Sequence, residues 1–400
     1  MAAHMFQNLR ILQFAFAEIS VKIIPVLTTF VMAKYLPIYE FGRLALYVVT
    51  IELFFVAISN NASAVYRVQY FKKPSRMRAQ LAQSAIQNSL LISLVIVAGL
   101  LISENTGIYL GLIVVALFRA ITVVLLANFQ CQRIASMYLW VNLAFVFIFV
   151  LSLWGFSVSG ISILAWLKAM LVASLLQMLL AGVSSASRSV VHTKKVLPAV
   201  NKYMFLAGIS FMPQAIGWWA KSGADRFQIE FLYGSSVLAL YSLSYQFAAL
   251  VILAANILNL AYVPDLNHSL KLKDRTKVRS VLQQNLILVG LISLIAIMAG
   301  WVILNNYYSE YETANIVFIE ILASTTFFSA SLLYINVYYF FLKQIKVAVV
   351  IAISALAQLL IAFLIGASTN IYVYSLAAIF VNILTFGYVY IDTRRLLNND

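Results

Sequence analysis

The chain has 400 residues, 63% hydrophobic and only 10% charged, with a formal net charge of +14 and mean hydropathy +0.94. A soluble domain carries about 25% charged residues, so a soluble enzyme and a nucleic-acid-binding domain are excluded. A bilayer-spanning helix takes roughly 20 apolar residues, and twelve would use about 240, close to the hydrophobic content here.

Taken in chain order, twelve apolar runs appear, at 12–33, 43–64, 84–103, 109–128, 136–155, 162–183, 203–223, 237–259, 281–303, 313–338, 347–366 and 371–391. The fold class expected is an all-α polytopic membrane protein with about twelve transmembrane helices. The first run carries Glu18 and Lys22 and has no small-residue cleavage site, so it is expected to stay in the membrane rather than be removed as a signal peptide. The connectors after runs 2, 6 and 8 are long and basic, whereas those after runs 3, 5, 9 and 11 contain no Lys or Arg. By side, 20 Lys/Arg fall on one face and 4 on the other, with Arg43 and Lys221 at the ends of their runs counted on that second face, and 3 lie deeper inside the runs. Cytoplasmic loops are enriched in Lys and Arg, so the even-numbered connectors and both termini are expected in the cytoplasm. The histidines His4, His192 and His268 read as solvated loop residues. With Cys131 the only cysteine, no intramolecular disulfide and no Cys-based metal site can form.

The two halves resemble each other. Phe41-Gly42 precedes Leu44-Ala45-Leu46-Tyr47 after run 1, and Tyr233-Gly234 precedes Leu238-Ala239-Leu240-Tyr241 after run 7. Ile86-Gln87-Asn88 opens run 3 and Gln283-Gln284-Asn285 opens run 9, each after a basic connector. Six helices per half make the repeat parallel, with its axis along the membrane normal. The organisation expected is an N-terminal six-helix lobe at 1–183, a basic inter-lobe linker at 184–202, and a C-terminal six-helix lobe with a short tail at 203–400.

Six ionisable side chains read as intramembrane: Glu18, Lys22, Glu52, Arg119, Lys168 and Glu320. Each costs about 2.5–3.5 kcal/mol at the bilayer centre on insertion scales. Most must therefore face a hydrated cavity or a partner. Glu18 and Lys22 are spaced i, i+4 on one helix face; they neutralise each other, or Lys22 offers charge to an anionic ligand while Glu18 takes a proton or cation. Arg119 has no acid on its own helix. It suits a phosphate, which a guanidinium grips with two parallel hydrogen bonds, or it pairs with Glu52 or Glu320 from another helix. Lys168 lies nearer the outer face, where it can also snorkel. Lys22, Arg119 and Lys168 are thus candidates for binding a diphosphate, and Glu18, Glu52 and Glu320 for ion coupling. Pro25 and Pro213 interrupt the first run of each half and read as helix hinges or as ordinary kinks. Asn142, Gln177, Gln214, Asn256, Asn259, Asn336, Gln358 and Asn382 read as cavity lining or, more commonly, interhelical hydrogen-bond glue. No Walker loop, nucleophile elbow or HExxH motif is present, so no enzymatic activity, metal or cofactor is expected.

Two segments carry a family resemblance: Leu36-Pro37-Ile38-Tyr39-Glu40-Phe41-Gly42, and Ser222-Gly223-Ala224-Asp225-Arg226-Phe227-Gln228-Ile229 with Gly234 and Tyr241. The chain is similar in these to O-antigen-unit flippases of the multidrug/oligosaccharidyl-lipid/polysaccharide exporter superfamily. In that pattern Asp225 and Arg226 form an outer-loop motif. The resemblance implies two six-helix lobes around a central cavity that opens alternately to each side. The implied substrate is an undecaprenyl-diphosphate-linked oligosaccharide repeat unit, flipped across a bacterial inner membrane for O-antigen or other surface polysaccharide. The implied partners are that lipid-linked substrate, membrane lipids, H+ or Na+, and other polysaccharide-assembly proteins. The alternatives are a drug or cation exporter of the same superfamily, and a membrane-embedded glycan polymerase, which would need a sizeable outer loop that this sequence lacks.

Overall fold

The computed structural model describes residues 2–101, 106–158, 160–186, 196–308, 311, 314–366 and 370–399. These fold as α1 (Ala2–Tyr35), α2 (Ile38–Ser59), α3 (Ala62–Tyr70), α4 (Ser75–Leu100), α5 (Thr106–Cys131), α6 (Ala135–Phe156), α7 (Ile163–Ala186) and α8 (Pro198–Trp219). A π-helical turn (Ala220–Ala224) leads into α9 (Asp225–Tyr233), followed by α10 (Ser235–Lys271), α11 (Arg275–Tyr307), α12 (Ala314–Phe340), α13 (Gln344–Gly366) and α14 (Ile371–Asn399). Every apolar run lies on a helix, and no strand occurs among the described residues. Among the described residues, ten helices are long and apolar enough to cross a membrane. The other two runs are α1 and α8, which carry Pro25 and Pro213 inside otherwise continuous helix.

Three local features depart from the run boundaries. Run 2 breaks at Asn60 and Asn61, both left-handed (φ 42° and 50°), and α3 starts afresh beyond them. Asn is among the few residues that tolerate this region, so the Asn-Asn pair is the sequence signal for the break. Run 7 does not end in an outer loop at 223 but continues through the π turn into α9. The connector after run 1 shrinks to Leu36 and Pro37, so Tyr39 to Gly42 occupy the start of α2. His268 lies in the last turn of α10, exposed, rather than in a loop. His192 and most of the linker, 187–195, lie outside the described residues, as does the side chain of His4.

The basic connectors after α5, α10 and α12 share one chain reversal. Arg133, Lys273 and Leu342 are left-handed (φ 59°, 56° and 56°). The following amide donates back five residues in each: Ile134 to Phe129 at 2.9 Å, Asp274 to Ser269 at 3.0 Å, Lys343 to Tyr338 at 2.9 Å. This is the long-range bond of the Schellman motif, which satisfies carbonyls orphaned at a helix end. Asp274 then caps α11 by accepting from the Lys277 amide at 3.0 Å, and this donation with the Thr276 hydroxyl holds its carboxyl below the usual value.

The chain forms two compact units. The first comprises Met1–Pro25 and Tyr47–Trp219, the second Val26–Leu46 and Ala220–Asp400. In the first, α5 packs against α3, α4, α6 and α7; in the second, α12 packs against α10, α11, α13 and α14. Both are the fourth span of their half. The share of a span that is buried is alike in three matched pairs, 50% in α2 and α10, 56% and 61% in α5 and α12, 22% and 28% in α6 and α13, but differs in α4 and α11, at 39% and 17%. The contact faces are rich in small residues: Ala120, Ala169 and Ala173 in the first unit and Ala239, Ala248 and Ser244 in the second are fully buried. Lipid tails are as apolar as Leu, so close van der Waals approach through small residues is what holds such helices together.

The two aromatic-Gly segments meet inside the second unit. A Cβ on Gly42 would lie 1.9 Å from the Ser235 carbonyl oxygen. Gly234 itself takes φ +82° to end α9 and start α10. In the first unit Gly208 of α8 abuts the Asn60 carbonyl, 2.2 Å from where a Cβ would sit, while the Asn60 amide donates to the Phe205 carbonyl at 3.0 Å.

Candidate functional site

A buried polar cluster lies in the second unit, around the π turn and the start of α9. The π turn shifts the helical register by one residue, a distortion that concentrates at functional positions. Lys221, Asp225 and Arg226 are all buried there, at 7%, 1% and 7% exposure. The outer-loop placement of Asp225 and Arg226 is therefore corrected: both are helical and enclosed. Both meet α10, Asp225 through the Tyr241 hydroxyl and Arg226 through the Tyr245 ring.

The Tyr241 hydroxyl of α10 donates to Asp225 Oδ2. Tyr374 of α14 donates to Gln228 Oε1 at 2.6 Å. Arg226 Nη1 donates to the Ser222 carbonyl at 3.1 Å and its guanidinium lies 4.3 Å from the Tyr245 ring centre. Lys221 Nζ donates to Ser354 Oγ of α13, which is 2.7 Å from Thr385 Oγ1 of α14. Its ammonium is 5.7 Å from the centre of the Phe328 ring, within cation–π range. No ion pair within 4 Å joins Lys221 to Asp225.

Lys221, Asp225, Tyr241, Tyr245, Gln358 and Asn382 line one cavity of about 360 Å³ including its open mouth. Its interior takes a guest the size of one water or one bare cation. Three oxygens on its lining, Asp225 Oδ1, Gln358 Oε1 and Asn382 Oδ1, are buried without a hydrogen-bond partner. Orphaned buried acceptors are uncommon and call for a donor, a water or an ion. One carboxylate with two amide oxygens is a hard-donor set suited to a small monovalent cation. No group of three or more His, Cys, Asp or Glu that could hold a metal occurs among the described residues.

Lys221 lies within run 7, yet sequence reasoning passes over it because it falls at the run's end and counts with the outer cations. It adds a buried cation in the second half to Lys22, Arg119 and Lys168 of the first.

In the first unit, Arg119 of α5 pairs with Glu52 of α2, Nη1 to Oε1 at 2.6 Å. The contact uses one guanidinium nitrogen, and the two side chains stay 29% and 43% exposed, so the pair is neither sealed nor bidentate. Phe55 lies 5.1 Å beneath the guanidinium. Lys22 and Lys168 are exposed, and Glu18's side chain lies outside the described residues. In the second unit, Glu320 of α12 accepts from Ser375 Oγ of α14. Six of the eight amides divide by role. Gln177 donates to Asn142 at 3.2 Å and Asn336 to Asn259 at 3.1 Å, which is interhelical glue, while Gln358 and Asn382 line the cavity.

No protein-family model matches the chain, and no curated protein sequence matches it. Solved structures share its fold. An inward-facing multidrug resistance MATE family transporter of the MOP superfamily superposes with TM-score 0.66 at 10% identity, covering 97% of this chain and 95% of that one. The outward-facing form gives 0.64 at 10% identity, covering 98% and 96%. The lipid II flippase MurJ, in an inward closed conformation, gives 0.75 at 13% identity, covering 95% of this chain and 87% of that one. The chain thus has the fold shared by these MATE structures and the MurJ structure.

Proposed function

We propose that the chain is a flippase, not an enzyme, that carries undecaprenyl-diphosphate-linked oligosaccharide units across the bacterial inner membrane for surface polysaccharide synthesis. The observation that carries this reading is that Lys22 and Lys168 are exposed and Arg119 is partly exposed, at 29%, on long helices of the first unit. A cation facing lipid at mid-depth costs about 2.5–3.5 kcal/mol on insertion scales, so exposed cations there imply a hydrated surface, and a diphosphate is the matching ligand. Arg119 keeps guanidinium donors beyond its single bond to Glu52, enough to accept a phosphate alongside its carboxylate. The likeness to the lipid II flippase supports the reading as fold analogy. Both termini and the basic connectors are then cytoplasmic, as the Lys/Arg asymmetry implies.

The test is the sidedness of diphosphate-linked oligosaccharide in cells lacking the protein, with wild type or Arg119→Ala supplied back. The lipid is expected to accumulate on the cytoplasmic face and to be cleared by wild type only. If Arg119→Ala clears it equally, the phosphate site is elsewhere; if no lipid is trapped inside, the flippase reading is wrong. The second reading, a drug or cation exporter, is favoured by the near-complete mutual coverage with the MATE structures. It predicts drug hypersensitivity in the same cells without trapped lipid.

The cavity around Asp225 supports a coupling role in either case. A monovalent cation satisfies Asp225 Oδ1, Gln358 Oε1 and Asn382 Oδ1, in competition with the Lys221 ammonium beside it. Asp225→Asn is expected to abolish gradient-driven transport in vesicles while substrate binding persists. Gradient dependence that survives in this variant would move coupling to Glu52 or Glu320.

A further inference from the structure

A second, larger pocket sits at the basic end of the second unit, about 800 Å³ including its open mouth, between the α10–α11 turn, the end of α12 and the tail of α14. Its rim carries Lys271, Lys273 and Arg275, all exposed. Its wall carries Phe340, Phe341 and Leu397. The left-handed backbone at Lys273 and the cap at Asp274 fix how the three cations follow one another around the turn. Arg275 Nη2 and Arg279 Nη2 each reach Asn398, both at 3.4 Å. These long contacts bring the C-terminal tail against the rim. The corresponding connector of the first half differs: Arg78 lies over the Tyr70 ring at 4.3 Å and donates to the Lys73 carbonyl, and Arg67 donates to Gln130. In the second half Lys271, Lys273 and Arg275 border the open volume of the pocket as well.

From this pocket we infer that the second unit binds one anionic phospholipid at its basic end, phosphate on Lys271, Lys273 and Arg275 and acyl chain on Phe340, Phe341 and Leu397. The pocket lies at the ends of helices apolar enough to cross a membrane, where a headgroup meets the first methylenes of its tail. Its chemistry divides the same way, cationic on the rim and aromatic on the wall. Basic pockets between helices on the cytoplasmic side recognise acidic headgroups in this manner. A soluble anion would use the rim and leave the wall wet; a neutral lipid would use the wall and leave the cations unmatched. The site is independent of the substrate reading, since it involves none of the proposed diphosphate or coupling residues.

The test uses the full purified chain in detergent and counts lipid retained by native mass spectrometry, with phosphatidylglycerol and phosphatidylcholine vesicles as alternative donors. Phosphatidylglycerol is expected to be retained and phosphatidylcholine lost. The triple variant Lys271→Gln, Lys273→Gln, Arg275→Gln should weaken retention by about fivefold per cation removed, while the Lys→Arg version at 271 and 273 keeps it. The rim residues are exposed, so folding should hold, and an unchanged thermal midpoint of the triple variant verifies this. Phe340→Ala with Phe341→Ala should weaken the lipid through the wall alone. Equal retention of the two lipids, or full retention by the triple variant, overturns the proposal. Displacement of bound lipid by inorganic phosphate alone overturns it in favour of a free-anion site.

Discussion

At the scale of single residues, this protein is governed by what each polar or small side chain meets. Gly42 illustrates the steric side. Its Cβ position lies 1.9 Å from a backbone oxygen, not from a side chain that could swing away. Gly42→Ala is therefore expected to destabilise the second unit by about 1–3 kcal/mol, the usual range for overpacking. The readout is the thermal midpoint in detergent, and an unchanged midpoint would mean that the α2–α10 contact is softer than drawn. Arg119 illustrates the electrostatic side. The sequence places it in a run with no acid of its own, and two readings follow. The structure adds that Glu52, 67 residues away, is its partner, without using up the guanidinium.

At the scale of elements, the runs themselves are legible because membrane insertion is read over roughly 20 consecutive residues, a purely local property. Their ends are less so. The breaks at Asn60-Asn61 and in the π turn lie inside apolar sequence, where hydropathy carries no information and backbone conformation decides. The shared reversal at Arg133, Lys273 and Leu342 is also invisible to hydropathy, since it uses ordinary residues where Gly is favoured. Leu342 is 81% exposed, so its side chain contributes little packing while its left-handed backbone is strained. Leu342→Gly is expected to raise stability by up to about 1 kcal/mol by relieving that strain, less what is lost to greater freedom in the unfolded chain. Chemical denaturation in detergent measures it, and a lower midpoint would show that the side chain anchors the turn.

At the scale of the whole molecule, the two units are each built from two stretches of chain. Their boundaries fall at three points: at Pro25 inside α1, between Leu46 and Tyr47 inside α2, which carries no proline, and after Trp219, where α8 becomes the π turn six residues beyond Pro213. A proline removes one backbone donor and weakens a helix locally, and here the two prolines stand at or near two of the three points where a helix passes from one packed unit to the next. Pro25→Ala and Pro213→Ala are expected to slow transport in reconstituted vesicles several-fold while leaving the thermal midpoint unchanged or slightly raised. Wild-type rates in both variants would reduce the prolines to ordinary kinks.

The sequence by itself determined the all-helical membrane class and the positions of the twelve runs, because both are written in local composition. Tertiary structure decided which polar groups serve one another. Lys221 finds Ser354 at a separation of 133 residues, and Asp225, Gln358 and Asn382 converge on one cavity from α9, α13 and α14. It also decided that two amide pairs are glue and that Asp225 and Arg226 are buried rather than looped. Such pairings depend on helix rotation and packing between distant segments, and hydropathy does not encode the azimuth of a buried polar residue on a uniformly apolar helix.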